Sequence, residues 1–353
     1  MEKSILDYDT VALDDAASAL IIIDQTKLPN ALELIRLRTQ IEIWEAIRAL
    51  KVRGAPAIGV AAAFGLYLAA KEIQTENDEE FFTRFRAARD YLNSSRPTAV
   101  NLPWALDRMM AAALAERAAG IASVKRRLLA EARAIQAEDI EICQRIGEYG
   151  LSLLKPGAGI ITHCNAGKLA AGRDGTATAP MYLGQKRGYG FHVFCDETRP
   201  LLQGARLTAF ELMSAGIDVT LIGDGMAASV MRNGWAEAVI TGCDRVAANG
   251  DAANKIGTLP LAIAAKRFGI PFYICAPSST IDMDTSRGKE IEIEQRAPEE
   301  LTEMWYEKRM APENVKVFNP AFDVTDADLI TAIITERGIL RPPYNEALKK
   351  IMK

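Results

Sequence analysis

Two hydrophobic patterns divide the chain. In the first third, apolar residues recur at three- and four-residue spacing, the period of a helix buried on one face. Residues 36–50 carry it, and Pro56 suits the first turn of the Ala/Gly-rich run 55–70 that follows. That run is the most apolar of the chain, yet it is shorter than the ~18–20 residues of a membrane span, so it reads as a buried helix. Asn77-Asp78-Glu79-Glu80 supplies a cap and an acidic first turn for a helix ending near Leu92. Residues 101–119 and the long stretch 124–154 are helical by composition. Only 19–24 reads as a strand in this part.

After Lys155-Pro156-Gly157 the pattern changes. Short apolar runs recur at 159–162, 192–194, 219–222, 238–240 and 272–274, with 315–318 last. Each is followed by a polar or Gly-rich turn and then a helical pattern. Strands apolar on both sides, alternating with helices, predict a parallel sheet covered on both faces. The fold class predicted is therefore α/β. A mainly helical N-terminal domain, residues 1–125, precedes a doubly wound parallel-sheet domain, residues 126–353, with the hinge within or just before the long helix.

Composition narrows the chemistry. The chain has 353 residues, 49% hydrophobic and 25% charged, with a net charge of -4, the profile of a globular protein. The acidic balance argues against a general nucleic-acid surface and leaves room only for a local basic pocket. Two histidines cannot build a His-rich metal site by themselves. The five cysteines, an odd number, form no C-x-x-C pair, which matches neither a zinc site nor a disulfide framework. Reduced thiols and a cytoplasmic location are the expectation. Met1-Glu2-Lys3-Ser4 opens no signal peptide, and no membrane partner is expected.

In a doubly wound sheet, ligands bind outside the carboxyl ends of the strands. The residues following the runs are His163-Cys164-Asn165-Ala166-Gly167, then Cys195 to Pro200 leading to Gln203-Gly204, then Gly223-Asp224-Gly225, then Gly242-Cys243-Asp244-Arg245 with Asn254-Lys255 beyond. Polar turns at four successive strand ends are expected to converge on one crevice. Gly223-Asp224-Gly225-Met226-Ala227-Ala228 fits the G-x-G-x-x-G/A dinucleotide pattern, with Asp244 about 20 residues on. Asp224 has the wrong sign for a pyrophosphate, however, and the unit is not the first βαβ of its sheet. Close helix packing accounts for the small residues equally well.

Better phosphate candidates lie elsewhere. Arg53-Gly54-Ala55-Pro56 sets an arginine and bare amides at a helix N-terminus, although a surface arginine at a helix start would look the same. Arg96 stands on a stiff turn and Lys255 beside Asn254. Together, three cations on such turns suit one small phosphorylated ligand. For chemistry, Cys164 in its polar turn and Asp244 stand out, against a buried thiol and an Arg245 ion pair or turn cap as the plain alternatives. Cys143, Cys195, Cys243 and Cys275 read as core. His163 points to the other side of its strand from Cys164, and His192 reads as structural.

At these residues the sequence resembles the methylthioribose-1-phosphate isomerase family, whose superfamily includes regulatory subunits of the eukaryotic translation-initiation exchange factor. The matching motifs include Asp24-Gln25-Thr26, 53–59, 96–102, 162–167, Glu197-Thr198-Arg199-Pro200 with Gln203-Gly204, 242–251, 254–258 and Asn319-Pro320-Ala321-Phe322-Asp323. The resemblance implies an aldose–ketose isomerase of methionine salvage that needs neither metal nor organic cofactor. It implies Asp244 as proton donor and Cys164 as second catalytic residue, with Arg53, Gly54, Ala55, Arg96, Gln203, Asn254 and Lys255 contacting substrate. A Rossmann-like domain and a homodimer are implied as well. The exchange-factor subunits generally lack the Cys and Asp pair, so its presence favours catalysis over a regulatory binding module.

The substituent at C5 of the sugar is open. Methylthioribose 1-phosphate, 5-deoxyribose 1-phosphate and ribose 1,5-bisphosphate differ only there. A second phosphate would call for further cations, and Lys168 and Arg173 are candidates, although solvated helix charges explain them better. A dinucleotide-dependent dehydrogenase is the distant alternative.

Overall fold

The computed structural model describes residues 4–96 and 100–352. Pro97, Thr98 and Ala99, part of the expected anion-binding turn, lie outside the described residues, as do the first three residues and the last. The chain forms two compact units, Met1–Gln144 with Gly167–Gly175 and Arg145–Ala166 with Thr176–Lys353.

The first unit opens with an antiparallel three-stranded meander, β1 (Val11–Asp14), β2 (Ala19–Ile23) and β3 (Leu34–Leu37). Helices α1 (Gln40–Arg48), α2 (Ala55–Glu72), α3 (Asp78–Asn93), α4 (Asn101–Ala115) and α5 (Ile121–Leu151) follow. Only β2 is legible from the pattern. Strands β1 and β3 are four residues each, and the 36–50 helical reading is corrected at its start, because Arg36 and Leu37 pair with Ile21 and Leu20 of β2. The helix begins later, where Thr39 caps it in a reciprocal box with Glu42. Asn77 caps α3 by accepting the Glu80 amide.

α2 is buried continuously from Ala57 to Ala70. Its small residues permit close helix packing: a Cβ on Gly65 would stand 3.1 Å from the Ile43 side chain. Phe81, Phe82 and Phe85 of α3 complete the core. Val124, Leu128, Ala132 and Ile135 of α5 belong to that same core. The division therefore falls further along the long helix, at 144/145, and not at the expected 125/126.

The second unit carries β4 (Gly159–Thr162), α6 (Ala179–Lys186), β5 (His192–Asp196), α7 (Ala209–Ser214), β6 (Asp218–Ile222), α8 (Ala227–Arg232) and β7 (Ala238–Thr241). A hairpin, β8 (Arg245–Ala247) and β9 (Ala252–Lys255), precedes α9 (Thr258–Phe268) and β10 (Phe272–Cys275). β11 (Ile281–Asp282), β12 (Phe322–Thr325), β13 (Ala332–Thr335) and β14 (Gly338–Leu340) complete the strands.

Among the described residues the main sheet has seven strands in the order β14-β13-β10-β7-β4-β5-β6, all parallel except the β14 edge. Counted within the unit, the six parallel strands run 3-2-1-4-5-6, the order of a doubly wound sheet. Both alternating sets of side chains are buried: Ile161, Val239 and Ile274 on one side, Ile160, Ile240 and Cys275 on the other. That is why these strands read as unbroken apolar runs.

The last expected strand is corrected. Residues 315–318 form no strand, and Phe318 is 80% exposed. The sixth parallel strand is β13, whose four residues are all buried. A second sheet, β11-β8-β9-β12, joins the hairpin after β7 to two strands that follow β10.

Candidate functional site

In the 3-2-1-4-5-6 order the strand sequence reverses between β4 and β7, and the crevice at such a switch point is where ligands bind. Cys164 lies two residues past the end of β4 and Asp244 three past β7. The two neighbouring central strands thus carry the expected pair at their carboxyl ends. Asp244 is half-buried, and its amide donates to the Ala253 carbonyl at 2.9 Å. That bond joins it to β9, which bears Asn254 and Lys255. Arg245, its sequence neighbour, pairs with Asp282 at 3.2 Å.

Asn254 is buried and its side-chain amide donates to Thr258 Oγ1 at 3.0 Å. The Lys255 ammonium sits 4.5 Å from the centre of the Phe322 ring, a cation–π contact that holds a desolvated charge. Gln203 follows β5 and is buried. Its Oε1 has no hydrogen-bond partner among the described residues, a cost of about 1–3 kcal/mol that a ligand hydroxyl would relieve.

Cys164 is 8% exposed and holds φ at +66°. Thr198 holds φ at +64°. Left-handed backbone at a non-glycine residue costs of order 1–3 kcal/mol and persists where the surroundings enforce it. Here the Cys164 amide donates to Thr198 Oγ1 at 2.8 Å, and Thr208 donates its hydroxyl to the Cys164 carbonyl at 2.6 Å. Thr208 is delivered by a π-helical turn, Gly204–Thr208, a feature common at functional sites.

A buried polar lattice lies beside this turn. His163 Nδ1 is 2.9 Å from Asp196 Oδ2, and Nε2 donates to the Ile256 carbonyl at 2.9 Å. Burial opposes charge on His163, but the Asp196 hydrogen bond and charge, with Asp224, outweigh it and raise its pKa. Burial raises that of Asp196. Ligand atoms of His163, Asp196 and Asp224 all lie within 4.8 Å of one another. Both ring nitrogens are engaged, and Asp224 accepts the Thr198 and Arg199 amides at 2.7 Å each. The three residues therefore fit a hydrogen-bonded lattice better than a metal centre. The same bonds overturn the dinucleotide reading of the Gly223-Asp224-Gly225 turn, whose carboxylate is committed to a neighbouring loop.

In the first unit, Arg53 is half-buried and Gly54 caps α2 with φ at +90°. A Cβ on Gly54 would lie 2.4 Å from the Ala170 Cα, so no other residue fits. Ala55 and Pro56 form the first turn, leaving amides at a helix N-terminus. Arg96 is half-buried just before the undescribed residues. Asn101, the first residue of α4, packs its carbonyl against Gly59 of α2, so the two turns open neighbouring helices.

Other cysteines behave as core: burial pushes the Cys143, Cys195, Cys243 and Cys275 thiols up. His192 bridges Asp218 at 2.6 Å and Thr220 at 2.9 Å, joining β5 to β6. Lys168 is corrected from a solvated charge to a buried one, 5% exposed. Arg173 is exposed, 3.9 Å from Asp9. Sequence reasoning did not single out Thr198, Thr208, Asp196 or Asp224 as site residues. The strand-end turns Cys195 to Pro200 and Gly223-Asp224-Gly225 pointed to three of them, and nothing pointed to Thr208.

Among the described residues no helix is long and apolar enough to cross a membrane. The model of the Initiation factor 2 subunit family matches residues 51–342. A methylthioribose-1-phosphate isomerase of Symbiobacterium thermophilum is 65% identical over 345 residues, covering 98% of this chain and 96% of the relative. A 5-deoxyribose 1-phosphate isomerase of Petrotoga mobilis is 56% identical over 343 residues, covering 97% of this chain and 99% of the relative. The crystal structure of 5-methylthioribose 1-phosphate isomerase from Pyrococcus horikoshii OT3 superimposes with a TM-score of 0.92 at 44% identity, covering 98% of this chain and 95% of that one.

Proposed function

The chain belongs to the Initiation factor 2 subunit family, and on that premise we propose that it is an isomerase converting 5-methylthioribose 1-phosphate to 5-methylthioribulose 1-phosphate. The observation that carries this reading is the Cys164 and Asp244 pair at the carboxyl ends of β4 and β7, the switch point of the sheet. The names of the relatives support the substrate class.

The chemistry explains the residue types. A sugar with phosphate on its anomeric oxygen cannot open its ring as a free aldose does, so the ring oxygen must be protonated. Asp244 is the general acid in this reading, which requires it to hold its proton near neutrality. Half-buried in the free protein, it gains the rest of its desolvation from the sugar. Hydrogen then passes from C2 to C1, as a proton through the Cys164 thiolate or as a hydride whose developing positive charge that thiolate stabilises. Solvent hydrogen at C1 of product made from C2-deuterated substrate counts against a pure hydride shift.

Arg53, Gly54, Ala55, Arg96, Gln203, Asn254 and Lys255 are the proposed substrate contacts, with the cations and the α2 amides on phosphate and the side-chain amides on hydroxyls. The Petrotoga relative favours a second reading at C5, the same reaction on 5-deoxyribose 1-phosphate. Turnover of methylthioribose 1-phosphate, 5-deoxyribose 1-phosphate and ribose 1,5-bisphosphate under one set of conditions tests both. The expected order of kcat/KM places methylthioribose 1-phosphate first, and no turnover of any of them defeats the isomerase reading. The protein is further proposed to act as a cytoplasmic homodimer, which sedimentation of the purified chain tests.

A further inference from the structure

We propose that Thr198 is a positioning residue for Cys164 and that Asp224 locks it in place; the catalytic part of this inference rests on the isomerase reading. The Cys164 amide donates to Thr198 Oγ1 at 2.8 Å, while the Thr198 hydroxyl donates to the Asp196 carbonyl at 3.1 Å. The second bond fixes the hydroxyl proton away from Cys164 and leaves a lone pair aimed at its amide. Thr208 grips the Cys164 carbonyl from the other side and is itself held by the Asn165 side-chain amide at 3.1 Å. Both backbone groups of Cys164 are thus bound by threonine hydroxyls, and each hydroxyl has a second bond that orients it.

This arrangement is expensive as a mere turn. Thr198 is fully buried, β-branched and left-handed, where glycine would be the undemanding choice. What enforces that conformation is Asp224, whose two carboxylate oxygens accept the amides of Thr198 and Arg199 at 2.7 Å each. The Gly223-Asp224-Gly225 turn therefore serves as a clamp, two steps removed from the thiol. The direction of the Sγ atom depends on the backbone conformation of Cys164, and that conformation depends on the Thr198 oxygen.

The test compares Thr198→Val, which keeps the shape and removes the acceptor, with Thr198→Ser, which keeps the acceptor. Thr198→Val is expected to lower kcat at least about tenfold with KM within about twofold, the signature of a misplaced reacting group and not of lost binding. Amide exchange of Cys164, followed in its peptide by mass spectrometry, is expected to speed up about tenfold or more in the same variant. Thr198→Ser is expected to stay close to wild type in both. Equal losses in the two variants, an effect confined to KM, or wild-type kcat and exchange in Thr198→Val overturn the proposal.

Should Thr198→Val not fold, Asp224→Asn stands in for it. That change keeps the volume of the side chain and turns one acceptor into a donor facing an amide. Lower kcat with faster Cys164 exchange supports the clamp, and wild-type values of both overturn it. If the unaltered protein turns over none of the sugar phosphates, the isomerase reading fails, while the exchange measurement still decides whether Thr198 holds the turn.

Discussion

His163 Nδ1 lies 2.9 Å from Asp196 Oδ2 with both side chains buried, and the other ring nitrogen must donate, because its partner is the Ile256 carbonyl. The pair therefore keeps one proton, whether drawn as imidazolium and carboxylate or as imidazole and carboxylic acid. The His163 pKa is raised above its ordinary 6.5. A raised folded-state value means that its stabilising contribution is complete below 6.5 and is lost as pH rises through the higher folded value. Denaturant unfolding between about pH 6 and about pH 9 is expected to show this fall, and His163→Gln to flatten it. An unchanged slope in the variant would show that the proton resides elsewhere.

Asp139 gives a second pH-dependent prediction, in the first unit. It is buried on α5, accepts the Gly172 amide, and burial raises its pKa to about 6. The folded state favours the protonated acid, so the stabilisation present below 3.8 is lost as pH rises through about 6. At pH 8 the ionised group opposes folding by about 3 kcal/mol, from about two units at 1.36 kcal/mol each. Asp139→Asn keeps an acceptor for Gly172 and removes the charge. It is expected to raise Tm at pH 8 and to lose most of that advantage at pH 4. A uniform drop in Tm at both values would contradict this account.

Gly204 tests how tightly the turn after Gln203 is fitted. A Cβ there would fall 1.7 Å from the Asp196 carbonyl oxygen and 2.8 Å from Thr198 Oγ1. The carbonyl is backbone and cannot swing aside. Gly204→Ala is expected to cost at least about 1–3 kcal/mol as overpacking, read as a fall in the denaturation midpoint. Gly225→Ala, with nothing among the described residues within 4 Å of its would-be Cβ, is the control and is expected to stay within about 1 kcal/mol.

These sites also show what was legible in the chain. Among the parallel strands, β4, β7 and β10 were readable because burial on both faces leaves an apolar run. The same rule misread 315–318, since an apolar run says nothing about whether a partner strand exists, and Phe318 is 80% exposed. β1 and β3 were hidden because each has only one buried residue, so neither leaves a run as apolar as the central strands. The strand-end positions of Cys164 and Asp244 were legible because the apolar runs of β4 and β7 stop just before them. The lattice that sets the Cys164 turn was not, because it joins residues such as Asp224 and Thr198, 26 positions apart, through left-handed backbone that no local pattern announces.

Cys164→Ser and Asp244→Asn test the proposed chemistry most directly. Serine keeps the side-chain volume near that of cysteine but cannot supply a thiolate, and asparagine keeps the shape of aspartate without a transferable proton. Each is expected to lower kcat by about 100-fold or more, within the range of a lost acid–base group, with unfolding midpoints close to wild type. If the two groups act in one sequence of bond changes, the double variant should be little worse than the poorer single one, since groups that work as a unit are not additive. Asp244→Glu separates the proton from its position: partial recovery over Asp244→Asn shows that a carboxylic acid is what the step needs. A folded double variant with full turnover of methylthioribose 1-phosphate would remove both residues from the mechanism and move the search to the other strand ends.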